Sequence, residues 1–129
     1  MGIRFRDSAA NAMLAARRDE IDVGAGASTI VIRTGGVPTN LTDAESGTLL
    51  VSFDLAAPSF GAPASRSMAA TLPLSATASG TGTAGHYRVF DGNGAIVEDG
   101  VIGADMTIDN TSIANGQTVN IISWTKSFA

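Results

Sequence analysis

Apolar and polar positions change period early in the chain, and that change sets out the fold. From about Ser8 to Val23, the residues Ala10, Met13, Leu14, Arg17 and Ile21 fall near one helical stripe. Asp7 or Ser8 is placed to cap the first orphan amides, and Gly24 and Gly26 end the helix. Arg17-Arg18-Asp19-Glu20 supplies an ordinary solvated face. Beyond Gly26 the pattern turns short and β-branched. Ser28 to Thr34 reads as a first strand, closed by Gly35-Gly36-Val37-Pro38. After a polar loop from Thr39 to Ser46, the run Gly47 to Leu55 puts Leu49, Val51, Phe53 and Leu55 on one core-directed face. Pro58 and Pro63 then break the chain around Ser59-Phe60-Gly61, a corner that gives Phe60 a fixed place to dock.

The second half continues in short strands. Ser67 to Leu74 is a weaker strand, and the small residues of Ser75 to Gly82 have an ambiguous propensity without reading as disordered. The clearest hairpin joins Gly85 to Phe90 with Ala95 to Asp99 through Asp91-Gly92-Asn93-Gly94, residues that tolerate positive φ. Val101-Ile102 and Met106 to Ile108 are short strand candidates. A final strand covers Gln117 to Lys126, with Val119, Ile121 and Ser123 facing one way and Ile122, Trp124 and Lys126 the other. One helix followed by seven or eight short strands, separated by Gly, Pro and Asn turns, predicts a mainly β chain. The expected architecture is a β-sandwich or jelly-roll-like domain with one N-terminal α-helix, spanning residues 7–129 after an arm of residues 1–6. No fixed period recurs, which argues against a solenoid or propeller.

Composition narrows the function classes. The 129 residues suit one domain with one core, and charged residues make up only 16% against roughly 25% in an average soluble domain. Part of the surface is therefore bland or covered. The net charge is −4 and the basic residues are scattered, so no stripe exists for phosphate neutralisation and nucleic acid is not an expected partner. Without cysteine there is no disulfide framework and no thiolate chemistry. No window approaches the roughly 20 apolar residues of a membrane span, and no standard signal follows the two N-terminal arginines, so assembly in the cytosol is expected.

Candidate chemistry is sparse. His86 is the single histidine, which excludes a two-histidine metal site; with no nucleophile motif beside it, it is expected to be a surface or strand-edge imidazole. Asp91-Gly-Asn-Gly94 fails as a calcium loop because Ile96 and Ile102 occupy the sixth and twelfth positions. Asp99, Asp105 and Asp109 read as solvated loop ends, and Glu20, Glu45 and Glu98 show no paired-carboxylate pattern. Gly24-Ala-Gly26 follows a helix instead of preceding one, the wrong order for a phosphate cradle. No catalytic, cofactor-binding or metal-binding residue is assigned, and no enzyme is expected. The candidate interface is the arm Ile3, Arg4, Phe5 and Arg6, whose apolar and basic alternation suits addition to a neighbour's surface or sheet edge.

The order of segments resembles a family of small tailed-phage virion structural proteins. The resemblance runs through Asn11-Ala-Met-Leu14, Gly24-Ala-Gly26, Ile30-Val-Ile32, Gly47-Thr-Leu-Leu50 and Pro58-Ser-Phe-Gly-Ala62. It continues through Gly82-Thr-Ala84, Arg88-Val89, Asp91-Gly-Asn-Gly94, Gly103-Ala-Asp105 and Ile113-Ala-Asn-Gly116, and so covers nearly the whole chain. His86-Tyr87 stands where the family pattern has a bulkier aromatic pair, and Arg17-Arg18 is more basic than that pattern. The resemblance implies a non-enzymatic capsid decoration or cement protein in the virion. Its expected partners are the major capsid protein or other virion proteins, and it is expected to form a homo-oligomer. A tail or fibre component is the alternative within that class. A carbohydrate-binding module and a hydrolase built on His86 are the readings from other classes. The first needs Tyr87 and Trp124 exposed; the second needs His86 in a pocket with a Ser or acid in reach.

Overall fold

The computed structural model describes residues 4–127. Helix α1 (Asp7–Ile21) precedes strands β1 (Thr29–Arg33), β2 (Leu49–Asp54), β3 (Ser67–Ala69), β4 (Leu74–Thr77) and β5 (Gly82–Thr83). These are followed by β6 (His86–Phe90), β7 (Ile96–Val101), β8 (Met106–Ile108), β9 (Ser112–Ile113) and β10 (Thr118–Ser127). The chain is mainly β, as its pattern predicts, and its antiparallel sheets form a β-sandwich. The first sheet has the order β2-β1-β6-β7. In the second, β10 pairs with β4 along its first half, with β3 along its last three residues, and with β8 around its middle. Strands β5 and β9 make a small separate ribbon.

Alternation decides which side chains fill the space between the sheets. Ile30 and Ile32 of β1 stand opposite Val89 and Tyr87 of β6, and all four are buried. Leu50, Val51 and Phe53 of β2 join them. From the other sheet come Met68, Leu74, Met106, Ile108, Val119, Ile121 and Trp124. Helix α1 lies against β3, while its Arg17 reaches Glu98 of β7, so it spans from one sheet to the other. Its Ala10, Leu14 and Ile21 are wholly buried. Each of the two larger side chains contributes roughly 1.5–3 kcal/mol of transfer free energy.

Four local expectations need correction. Neither Asp7 nor Ser8 caps α1: Arg6 occupies that position without a side-chain hydrogen bond, and the Asp7 carboxylate instead meets Arg66 Nη1 at 3.2 Å. The helix stops at Ile21, two residues early, because Asp22 turns its carboxylate to the Ser59 amide, 3.2 Å away. The strand expected over Ser67 to Leu74 is two strands, interrupted at a cis Leu72-Pro73 bond, and β4 runs on into the small-residue stretch. In β10 the register slips between Ile121 and Ser123. This bulge adds one residue, so Val119, Ile121, Trp124 and Lys126 all point inward and Ile122 is left outside at 54% exposure. Strict alternation had put Trp124 and Lys126 on the face opposite Val119 and Ile121.

The segment after α1 and the β6–β7 turn touch backbone to backbone. Gly24 sits at φ +105°, and a Cβ there would lie 2.6 Å from the Gly92 carbonyl carbon. Gly24-Ala-Gly26 is therefore a packing site as well as a helix stop. Gly24→Ala should cost roughly 1–3 kcal/mol of unfolding free energy, since left-handed strain and the collision act together. Gly36→Ala, where an added Cβ meets nothing within 4 Å, should change stability by about 0.5 kcal/mol or less. Urea midpoints at constant m-value check both.

Candidate functional site

Helix α1, the middle of β7, the turn after it and the last residues of β10 line an open cleft of about 370 Å³, whose lining includes Arg17, Tyr87, Glu98, Asp105, Trp124 and Lys126. The chain's single tryptophan, tyrosine and lysine meet here. Trp124 Nε1 donates to Tyr87 Oη at 3.1 Å, and the two rings stand edge to face with centroids 5.7 Å apart. Phe60 docks on Trp124 at 4.6 Å, the role its proline-framed corner predicts. Lys126 lies with Nζ 4.7 Å from the centre of the Trp124 ring and 5.4 Å from that of Phe60, and its ammonium is paired with Glu98 Oε2. Arg17 Nη2 approaches the same carboxylate oxygen at 3.7 Å. Glu98 belongs to the first sheet and Lys126 to the second, so this ion pair and the Tyr87–Trp124 hydrogen bond both tie the sheets together.

Burial governs the electrostatics of this cluster. Loss of solvent pushes the Tyr87 phenol well above its ordinary range, with the Trp124 N–H opposing the shift. Desolvation also pushes the Lys126 ammonium down, while the Glu98 carboxylate holds it up. Gly100 pairs with Tyr87 across β6 and β7, and a Cβ there would lie 2.3 Å from the phenol oxygen. Only glycine leaves room for this ring.

A second polar cluster lies on the opposite face of the first sheet. His86, Arg88 and Arg33 point away from the core, beneath the loop that carries Asp43 and Glu45. A carbonyl can only accept, so His86 Nδ1 donates to Gly35 O at 3.1 Å. Its Nε2 lies 3.4 Å from Glu45 Oε2, and Arg33 Nε lies 3.5 Å from Glu45 Oε1. Arg88 holds Asp99 with two bonds of 2.6 and 3.1 Å and donates from Nη1 to Asp43 O at 2.7 Å. The hydrogen bond to Asp99 raises the Arg88 guanidinium further above its already high range. These contacts pin the Thr39 to Ser46 loop to the sheet.

The sequence candidates now have places. Ile3 lies outside the described residues. Arg4 and Arg6 are exposed, whereas Phe5 is partly covered by Arg66, whose guanidinium carbon is 4.7 Å from the ring centre and whose Nη1 donates to the Phe5 carbonyl at 2.8 Å. His86 is not a surface or edge imidazole: it is 0% exposed, because the loop carrying Glu45 closes over it. An acid is within reach of the ring, but the ring has no face open to a substrate. Asp91 braces the hairpin turn by accepting from the Asn93 and Ala95 amides. Asp99, Asp105 and Asp109 do not converge. Asp99 pairs with Arg88, Asp105 accepts from the Val101 amide, and Asp109 is held below the usual carboxylate range chiefly by the Asn120 side chain. No cluster of metal-ligating side chains exists among the described residues. Glu45 and Glu98 sit in separate clusters, and Glu20 is exposed. The Tyr87–Trp124–Lys126–Glu98 group went unseen in the sequence because the β10 bulge hides it; the one available signal was Trp124 and Lys126 sharing a strand face.

No protein-family model matches the chain, and neither a curated protein nor a solved structure matches it.

Three outcomes follow from these clusters. Tyr87→Phe leaves the indole N–H without its partner and should cost about 1 kcal/mol, read as a lower urea midpoint. In the wild type the phenol pKa is raised on folding, so its contribution to stability is complete below pH 10 and is lost as pH climbs above that value. Absorbance at 295 nm, which reports the single tyrosine, should show ionisation only together with alkaline unfolding. Arg88→Leu strands the Asp99 carboxylate and frees the Asp43 loop, at a cost on the order of 2–4 kcal/mol. Faster amide exchange across residues 39–47 would accompany it.

Proposed function

We propose that this protein is a non-enzymatic structural component of a phage particle, a decoration or cement protein bound in many copies to the capsid. The supporting observation is the outer face of the second sheet. Thr118, Asn120, Thr125 and Ser127 of β10 stand there beside Ser75 and Thr77 of β4, Ala69 of β3 and Thr107 of β8. All are short and uncharged. Leu72, in the connection between β3 and β4, is 42% exposed on the stretch of chain opposite the bulged Ile122, itself 54% exposed. Asp109 lies at the margin with its carboxylate tied to Asn120. Such a face allows another protein close approach at little cost in charge desolvation or side-chain entropy.

The use of aromatic residues favours the same reading over carbohydrate binding. A sugar-stacking surface needs exposed rings, and Tyr87 and Trp124 are each 2% exposed. The buried His86 offers a hydrolase no accessible base. A tail or fibre component remains the alternative place in the particle, and the major capsid protein is the proposed partner.

A cement protein acts through number, since many modest contacts together raise the barrier to rupture of the shell. Particles made without this protein should assemble but release their DNA at lower temperature, and the protein should be present on the head in many copies. A few copies confined to the tail, with head stability unchanged by removal, would overturn the capsid reading. A second substitution probes the face itself: Ile122→Asp should weaken attachment to particles while leaving the isolated domain's thermal unfolding nearly unchanged.

A further inference from the structure

The ion pair between the sheets has the makings of a covalent joint. Lys126 is the chain's single lysine and is 5% exposed, lying beside the packed Trp124 and Phe60 rings with its nitrogen against the Glu98 carboxyl. A surface lysine gains charge solvation from water; this one has exchanged that water for two aromatic rings and one carboxylate. In such surroundings burial penalises the charged form of Lys126 and favours its free amine, while the Glu98 carboxylate opposes that shift. The two groups are already in contact, so condensation needs no encounter step.

We propose that Lys126 and Glu98 condense into an amide that joins β10 to β7 across the sandwich. Lys126 Nζ, as the free amine, attacks Glu98 Cδ. The C–N bond forms, the two protons that the ammonium loses in becoming an amide nitrogen leave with one carboxylate oxygen as water, and neither partner is oxidised or reduced. The tetrahedral intermediate concentrates negative charge on the remaining oxygen, beside the Arg17 guanidinium, 3.7 Å from Glu98 Oε2 in the ion-paired form. Asp105 lines the same cleft and is the second carboxyl available to carry the proton from nitrogen to the leaving oxygen. The cleft opens to solvent and gives the water a way out. The bond stands independently of the virion reading, although a covalent brace between sheets would suit a protein that resists internal pressure.

Intact mass of the purified full-length chain tests the proposal. The folded wild type should be lighter than its sequence by one water. Cleavage before aspartate should release residues 91–98 joined to residues 109–129, since Asp99, Asp105 and Asp109 separate Glu98 from Lys126. Lys126→Arg keeps the charge pair but lacks the amine, and Glu98→Ala lacks the carbonyl; both should have full sequence mass and migrate more slowly on a denaturing gel. Asp105→Ala should slow water loss at least tenfold after refolding from denaturant. Asp91-Gly92 and Asp99-Gly100 can also lose water by cyclisation, but that loss would persist in Lys126→Arg and yield no joined peptides. A wild-type chain at full mass after prolonged incubation in the folded state, or water loss unchanged in Lys126→Arg, would overturn the proposal. Circular dichroism of Lys126→Arg shows that an absent bond is not an absent fold.

Discussion

The bulge between Ile121 and Ser123 is the constraint on which the interior depends. A strand shows its two faces alternately, and ten residues without interruption would have sent either Val119 and Ile121 or Trp124 and Lys126 out of the core. One extra residue lets β10 keep all four inside. The first half of the strand then fills the centre of the sandwich with aliphatic side chains. The second half carries the indole to Tyr87 and the ammonium to Glu98. The residue displaced by this arrangement, Ile122, is the most exposed large apolar side chain of the described residues. Core and outer face are consequences of the same slip in register.

Charge is scarce in this chain, and much of it is used on the inside. Arg88, Lys126 and His86 are buried, and Glu45 and Glu98 are largely covered. Buried ion pairs are weak sources of net stability, but they discriminate strongly against displaced alternatives, because separating them leaves a bare charge in a poor solvent. The two clusters divide this work. Arg88, His86 and Arg33 hold one long loop against one sheet, whereas Lys126, Glu98 and Arg17 hold the sheets and the helix to one another. The outer face of the second sheet is correspondingly left to Thr, Ser, Asn and Ala.

That distribution gives the proposed role its physical sense. A protein attached to a shell in many copies needs a firm interior and a surface that can be covered without stranding charge. Tyr87 and Trp124 bonded across the core, with Lys126 paired to Glu98 beside them, resist the separation of the sheets that mechanical load would cause. An amide in place of the Lys126–Glu98 ion pair would make that resistance covalent at the same position.

By itself the sequence determined the class of fold. It contained one helix with a narrow apolar stripe, short β-branched runs, the Asp91 to Gly94 turn, and a corner that docks Phe60. These features are local: period, turn chemistry and proline leave their marks within a few residues, and the structure keeps each of them. Tertiary structure alone decided the rest. Which strands pair, where β10 slips, that Gly24 must admit the Gly92 backbone, and that His86 lies beneath Glu45 all depend on residues far apart in the chain. The candidate site belongs to that second group. Glu98 and Lys126 are 28 positions apart, and Tyr87 and Trp124 are 37. They meet only after two sheets have packed, and the bulge in β10 lets them do so without expelling Val119 and Ile121.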